Sequence, residues 1–344
     1  MRVAVCTSDV PFTPGGARNL VDWLAGHLRE AGHDVESVAL PFADSPELLF
    51  RQMAAYRWID LESADRIICV RPPSHLIPHP NKVVWFIHHL RPFYDLWDSR
   101  YRGFPDDLRH RGIRTALHEV DTAALREARR VFANSRVVAD RLRRFNGIDS
   151  EILYPPLMAP ERFRSTGAND EIITVGRIEH HKRQHLLVQA LRHTKTPVTL
   201  RICGRGTGSL YADELRAVIG HEGVEDRVRF EDRWISEPEK IDLLGASLAA
   251  AYVPLDEDSY GYATLEAAHS SKAILTTTDA GGVLEFVTDG VNGLVVEPTP
   301  TALGDAMDRL YLAREGTRRM GESALARVAE LGIAWGRVTE RLLS

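Results

Sequence analysis

Asp258 and Glu266 stand eight positions apart in the run Asp258-Ser-Tyr-Gly-Tyr-Ala-Thr-Leu-Glu266, with Gly261 between them. Residues 247–253 ahead of them are apolar and strand-like, and residues 265–270 read as helix. This layout predicts one carboxylate on a loop at a strand's C-terminal end and the other in the first turns of the next helix. The N–H groups of Tyr262, Ala263 and Thr264 would then point out of a helix N-terminus, which favours anions and phosphate above all. A carboxylate has two acceptor oxygens and suits a vicinal diol such as a ribose or a sugar. Together these features describe a pocket for a nucleotide-sugar. Glu266 alone also fits a dipole-stabilised helix residue, and Asp258 alone an ordinary loop acid, so other segments must decide.

Four further segments bear on that chemistry. Pro14-Gly15-Gly16-Ala17 follows the first strand signal, and glycine there permits a tight turn and a close ligand approach, as well as an ordinary strand-to-helix turn. It lacks the GxGxxG spacing of a dinucleotide site. Gly204-Arg-Gly206-Thr-Gly208 also follows a strand with the wrong spacing for that fingerprint, and reads instead as a loop near a nucleotide base. The strand signal at 83–87 ends in His88-His89. Adjacent side chains on extended chain point oppositely, so one histidine, taken as His88, is expected to face a ligand and donate to a sugar hydroxyl or phosphate oxygen. Gly176-Arg177 ends another strand and Lys182 follows five residues later; two cations on one such loop can clamp a diphosphate. Asp279-Ala-Gly281-Gly282 offers a glycine turn of the same kind after a later strand, or a plain turn and capped helix.

The elements that must position these residues alternate along the chain. Strand signals fall at 3–7, 35–40, 66–70, 83–87, 130–133 and 151–154, then at 172–175, 198–203, 228–230, 248–253, 273–276 and 294–296. Helical patterns cover 19–31, 137–145, 185–192, 236–244 and 301–312. Strand-helix alternation implies parallel sheets covered on both faces, that is, an α/β fold. The rhythm restarts near Glu171 after a proline-rich and then polar stretch. The chain is therefore divided into residues 1–165 and 166–332, two doubly wound Rossmann-like domains expected to face each other across a cleft, with 333–344 as a separate C-terminal segment. In such sheets ligands sit at the strands' C-terminal ends, near the switch in strand order.

Composition narrows the classes. The 344 residues are enough for about two domains. With 44% hydrophobic and 26% charged residues a packed protein is expected, not a disordered one. A net charge of −5 argues against a nucleic-acid binder. Cys6, Cys69 and Cys203 lie in apolar strands without a CxxC, as buried thiols of a reducing compartment would. Asp9 and Pro11 interrupt the first apolar stretch, so no secretory signal is expected, and no run nears the ~20 apolar residues of a membrane span. Residues 98–146 carry twelve arginines against seven acids. That excess fits a salt-bridged helical face, or a surface meeting an anionic acceptor or lipid headgroups at the inner membrane face.

Taken together these segments resemble the family-four glycosyltransferases, retaining enzymes of the GT-B fold. The resemblance spans nearly the whole chain. It rests on Gly15-Gly16, on His88 within Trp85-Phe-Ile-His-His-Leu-Arg-Pro-Phe-Tyr-Asp-Leu-Trp97, on Ala133-Asn-Ser135, on Gly176-Arg177-Ile-Glu-His-His-Lys182, on the Asp258/Glu266 pair and on Asp289-Gly-Val-Asn-Gly-Leu. It implies that Arg177 and Lys182 hold the donor diphosphate, Glu266 binds ribose hydroxyls and Asp258 faces the donor sugar. It further implies that the amides of Gly16, Tyr262 and Ala263 touch the distal phosphate and that His88 lies beside the transferred sugar. The segment beginning at Trp335 resembles the helix that crosses back onto the N-terminal domain. The family usually has glutamate where Asp258 stands, and Glu257 is one position out of register, so either acid could read the sugar. The family's small-Gly-x-Pro turn is here Ser270-Ser-Lys-Ala273.

The resemblance implies transfer of a sugar from a nucleoside diphosphate to a glycan, lipid-linked or small-molecule hydroxyl, in the cytoplasm, with no cofactor and no divalent metal. A nicotinamide-dependent oxidoreductase, a non-catalytic nucleotide-sugar binder and a nucleotide-sugar epimerase remain as rivals. The missing GxGxxG counts against the first.

Overall fold

Each half of the chain is built on a six-stranded, wholly parallel sheet. The computed structural model describes residues 1–11, 15–43, 45–206 and 210–344. Pro14, Thr207 and Gly208 of the glycine-rich segments lie outside the described residues. The first sheet comprises β1 (Arg2–Asp9), β2 (Asp34–Pro41), β3 (Arg66–Cys69), β4 (Lys82–Phe86), β5 (Arg130–Ala133) and β6 (Glu151–Ile152), in the order β2-β1-β3-β4-β5-β6. The second comprises β7 (Glu171–Val175), β8 (Thr199–Gly204), β9 (Val228–Asp232), β10 (Ala249–Ala251), β11 (Ile274–Thr277) and β12 (Gly293–Val296), in the order β12-β11-β10-β7-β8-β9. All twelve strand signals of the sequence correspond to these strands.

The strands read as continuous apolar runs because both faces of each sheet are covered. In β4, Val84 and Phe86 enter one core with the helices Leu49–Arg57, Leu108–Arg126 and Arg136–Asn146, while Val83 and Trp85 enter the opposite core with the helix Gly16–Glu30. Four helices escaped the apolar pattern: Leu49–Arg57, Leu108–Arg126, Leu210–Glu222 and Arg314–Glu330. Each carries charged or exposed residues over much of its circumference, so its buried stripe is narrow.

The compact units are Met1–Pro155 joined by Ala334–Ser344, and Pro156–Ile333. The second begins ten residues before the boundary placed at 165, for a packing reason. Thr166 and Gly167 donate to the Gly245 carbonyl at 2.8 and 3.2 Å. The buried Lys272 ammonium donates to the Gly167 carbonyl at 2.7 Å. The polar stretch taken for a linker is thus built into the second unit. The helix Trp335–Leu343 packs on the first unit, where Trp335 stacks on His27 at 4.6 Å and Arg66 donates to the Leu342 carbonyl at 2.8 Å.

Both sheets thus have the Rossmann-like, doubly wound arrangement of a GT-B fold. In the second sheet the strand order turns between β7 and β10. Loops leaving the C-terminal ends of those two strands are therefore where a ligand is expected.

Candidate functional site

Arg177 and Lys182 lie on the loop after β7, and Asp258, Gly261 and Glu266 on the loop and helix after β10. These are the strands on either side of the switch, and side-chain contacts join their loops. The Lys182 ammonium donates to the Tyr252 hydroxyl at 2.7 Å and pairs with Glu257. The same hydroxyl donates to Glu257 at 2.8 Å. Tyr252 in turn lies against Gly261, the residue that opens the helix Tyr262–His269.

Gly261 has φ 72°, in the left-handed region, and a Cβ there would sit 2.6 Å from the Tyr252 ring. Glycine is required on both counts. Its carbonyl accepts the N–H groups of Thr264 and Leu265 at 3.2 and 3.4 Å, so the amides of Tyr262 and Ala263 precede the first intrahelical bond. Lys182 is thereby brought beside a helix N-terminus, and two positive features share one place.

Glu266 follows on the same helix. It is buried, with 7% of its surface exposed, and pairs with Lys240 from the helix Glu237–Ala246. Burial raises its pKa above the usual value, and the Lys240 ammonium opposes the rise. The sequence offered no sign of Lys240. It engages one carboxylate oxygen, Oε1, and the second oxygen is the natural acceptor for a ligand hydroxyl.

The two acids left open by the sequence are separated by their contacts. Glu257 is committed to Lys182 and Tyr252. Burial pushes its carboxyl up, but the charge and hydrogen bond of Lys182 and the Tyr252 hydroxyl outweigh this and hold it at about 2. Asp258, the next residue, is partly exposed on the same loop and acts on Tyr252 through its charge. Arg177 acts on Tyr252 with the opposite sign, which places its guanidinium near the same ring. Arg177 is half exposed and pairs with Glu179 at 2.6 Å.

Two residues that fix these loops were not singled out from sequence. Arg183, with φ 53°, makes five hydrogen bonds: to the carbonyls of Val253 and Pro254 at 2.9 and 2.8 Å, to the Thr277 hydroxyl at 2.9 Å, and forked to Asp279 at 2.7 Å each. It ties the loop after β7 to the ends of β10 and β11. Its only sequence mark is its place beside Lys182. Tyr252, at the end of an apolar run, gave no polar signal at all.

The Gly281-Gly282 turn supports the acid-bearing loop from beneath. A Cβ on Gly281 would lie 2.5 Å from the Glu257 carbonyl oxygen, and one on Gly282 would lie 2.5 Å from the Ser259 Cα. The Gly282 amide also donates to the Glu257 carbonyl at 2.8 Å. Gly204, after β8, meets Gly176 equally closely: its Cβ would fall 1.8 Å from the Gly176 carbonyl. Its role in the described structure is this backbone approach.

In the first unit the remaining candidates lie at the C-terminal edge of the first sheet. Gly15 precedes the helix Gly16–Glu30, with open space where a Cβ would be and no side-chain cap. His89 is buried, donates from Nε2 to the Asn146 side-chain oxygen at 2.9 Å and packs on Phe86 and Tyr94. His88 stays partly exposed, and its Nδ1 contacts the His89 carbonyl at 2.7 Å. Burial, helped by Arg71, lowers its pKa to about 4. A neutral ring whose Nδ1–H is spent on that carbonyl presents Nε2 as an acceptor.

Other quoted segments are local scaffolding. The Ser135 hydroxyl caps the helix Arg136–Asn146 by accepting the Val138 amide at 3.0 Å. The buried Asn292 side chain closes its turn by accepting from the Thr288 amide at 2.7 Å and donating to the Phe286 carbonyl at 2.8 Å. Within the Arg-rich stretch, Arg111 pairs with Asp106 at 2.7 Å, Arg141 with Asp95 at 3.3 Å and Arg143 with Asp149 at 2.9 Å. Cys6, Cys69 and Cys203 are free and buried. Among the described residues no helix is long and apolar enough to cross a membrane.

Residues 160–327 match the family model of glycosyl transferases group 1. The chain is 30% identical over 207 residues to a D-inositol 3-phosphate glycosyltransferase of Xylanimonas cellulosilytica, covering 57% of this chain and 48% of that protein. It is 30% identical over 159 residues to the D-rhamnosyltransferase WbpZ of Pseudomonas aeruginosa, covering 46% and 40%. The matched stretches therefore span less than half of either relative. An alpha-maltose-1-phosphate synthase of Mycobacterium tuberculosis aligns over 100% of this chain and 98% of its own length at 25% identity. Among solved structures, Anabaena Alr3699/HepE in complex with UDP superimposes with TM-score 0.73 at 18% identity, covering 100% and 98% of the two chains. The sucrose-phosphate synthase tll1590 of Thermosynechococcus elongatus does so with TM-score 0.76 at 18% identity, covering 99% of each. The second unit is thus similar to the group 1 glycosyl transferases, and the chain shares the GT-B fold of these solved structures.

Proposed function

We propose that the protein transfers a sugar from a nucleoside-diphosphate sugar to an acceptor hydroxyl with retention of anomeric configuration. One observation carries this reading: Lys182 lies beside the N-terminus of the very helix that bears Glu266, at the switch point of the second sheet. A cation, a helix N-terminus and a diol-reading acid in one place match a diphosphate joined to a ribose.

In the reaction the bond from the sugar's anomeric carbon to the diphosphate breaks as the acceptor oxygen bonds to that carbon on the same face. The acceptor's proton passes to the departing phosphate oxygen. The transition state is oxocarbenium-like, with negative charge growing on the diphosphate. Arg177, Lys182 and the amides of Tyr262 and Ala263 stabilise that charge. These positive groups take the role a divalent metal would otherwise fill. Glu266 holds the ribose hydroxyls. Asp258 reads the donor sugar, at the position where the resembled family carries its first acid. The work is placed in the cytoplasm, with the Arg-rich 98–146 face available for peripheral contact with an anionic acceptor or lipid.

A thermal-shift screen against UDP-, GDP-, ADP-, TDP- and CDP-sugars tests the reading, since binding to the native state raises its melting temperature. Stabilisation by one nucleotide family, and an acceptor product whose new linkage keeps the donor's anomeric configuration, is the expected result. Stabilisation by NAD(H) alone would overturn it. A changed sugar still attached to nucleotide would mark an epimerase, and binding without transfer to any acceptor a non-catalytic binder.

A further inference from the structure

We propose that Glu257 is a built-in counter-anion to Lys182 that weakens the hold on the diphosphate product more than the hold on the donor, and so speeds product release. The proposal rests on the donor-site reading above.

Glu257 is not free to leave. Its carboxylate pairs with Lys182 and accepts from Tyr252 at 2.8 Å. Its backbone is fixed as well: the Gly282 amide donates to its carbonyl at 2.8 Å, and its own amide donates to the Ala280 carbonyl at 3.3 Å. The glycines at 281 and 282 let that loop sit in van der Waals contact with the β11 loop. The Lys182 and Glu257 side chains are only 12% and 20% exposed, so water screens their charges poorly. Arg177 differs in its own exposure: its side chain is 49% exposed, so water screens its charge more than that of Lys182. Carboxyl ionisation is also secure, because Lys182 holds Glu257 near 2.

A phosphate that reaches Lys182 therefore approaches a fixed negative charge. In the donor, that distal phosphate is a diester-like group with one negative charge. After transfer it is a terminal phosphate, whose second ionisation near pH 6 adds most of another charge at neutral pH. Repulsion from Glu257 grows with that added charge and offsets part of the stronger attraction that Lys182, Arg177 and the helix N-terminus exert on it. Glu257 thus weakens the hold on product more than the hold on donor.

The experiment measures dissociation constants of a nucleoside diphosphate and its sugar conjugate, at pH 7.5 and low salt, for the wild type, Glu257→Gln and Glu257→Asp. Glu257→Gln is expected to tighten the diphosphate about tenfold and the conjugate clearly less, so that their ratio shifts at least threefold toward product. Glu257→Asp keeps the charge and should keep the ratio near wild type. Product inhibition in Glu257→Gln should strengthen by the same factor. An unchanged ratio, or equal weakening of both ligands, overturns the proposal and makes Glu257 a purely structural or sugar-reading residue. If the wild type binds neither nucleotide, the donor-site reading itself has failed, which is a distinct result.

Discussion

Tyr252 packs against the backbone of Gly261 so closely that a single added carbon on the glycine would come within 2.6 Å of the ring and 2.9 Å of its hydroxyl. The tyrosine also carries the hydroxyl that links Lys182 to Glu257. The start of the helix bearing Glu266 and the position of Lys182 are therefore set by one contact.

Gly261→Ala should disturb both at once. The left-handed backbone at φ 72° costs a residue with a Cβ about 1–2 kcal/mol, and the clash with Tyr252 adds to it. Chemical denaturation is expected to show a loss of stability of that size or more, and calorimetry a weaker nucleoside-diphosphate affinity. Native stability and affinity in this variant would remove Gly261 from the site.

Lys182→Ala should act on chemistry more than on folding. By analogy with removal of one oxyanion donor it should raise the barrier by about 2.7–4 kcal/mol, roughly 100- to 1000-fold in turnover. A tenfold or smaller loss in kcat would exclude Lys182 from charge stabilisation. Glu257, left buried without its cation, should also lower stability at neutral pH, and this loss should shrink in acid as the carboxyl protonates.

Arg183→Lys tests the clamp beneath the site. Lysine cannot reproduce five hydrogen bonds or the forked contact with Asp279. Loss of the forked contact with Asp279 and of the bonds to the Val253 and Pro254 carbonyls should lower stability by about 1–3 kcal/mol, read from urea unfolding. Nucleotide affinity should fall with it, because the loops after β7, β10 and β11 lose their common tie.

Lys272 should make the protein more stable as the solution becomes alkaline. Burial lowers its pKa from the usual 10.5 to about 8, and its ammonium donates to the Ser165 hydroxyl at 3.1 Å and the Gly167 carbonyl at 2.7 Å. Between pH 8 and about 10.4 the unfolded chain holds a proton that the native chain has released, so unfolding free energy rises with pH. The rise is at most about 3 kcal/mol over that window. Below pH 8 both states are protonated and the charge is a constant penalty on the native state. The difference between wild-type and Lys272→Met stability curves isolates this term, and a flat difference across the window would refute it.

The sequence by itself determined the twelve strands and the alternation of the α/β units, because strands buried on both faces must be apolar throughout, as in Val83-Val84-Trp85-Phe86. It also located the loops at Arg177, Lys182 and Asp258, since glycine and charge at the end of a strand mark a turn toward ligand. Tertiary structure alone decided which charges meet. Lys182 and Glu257 are 75 residues apart and pair only because β7 and β10 are neighbours in the sheet. Residue type favours Glu257 and spacing favours Asp258, so the sequence left the two open; the left-handed turn at Asp256 and the seat on Gly281-Gly282 send the first toward Lys182. Arg183, Tyr252 and Lys240 were silent for the same reason: their functions are contacts with residues far along the chain, and no local pattern records a contact that strand order creates.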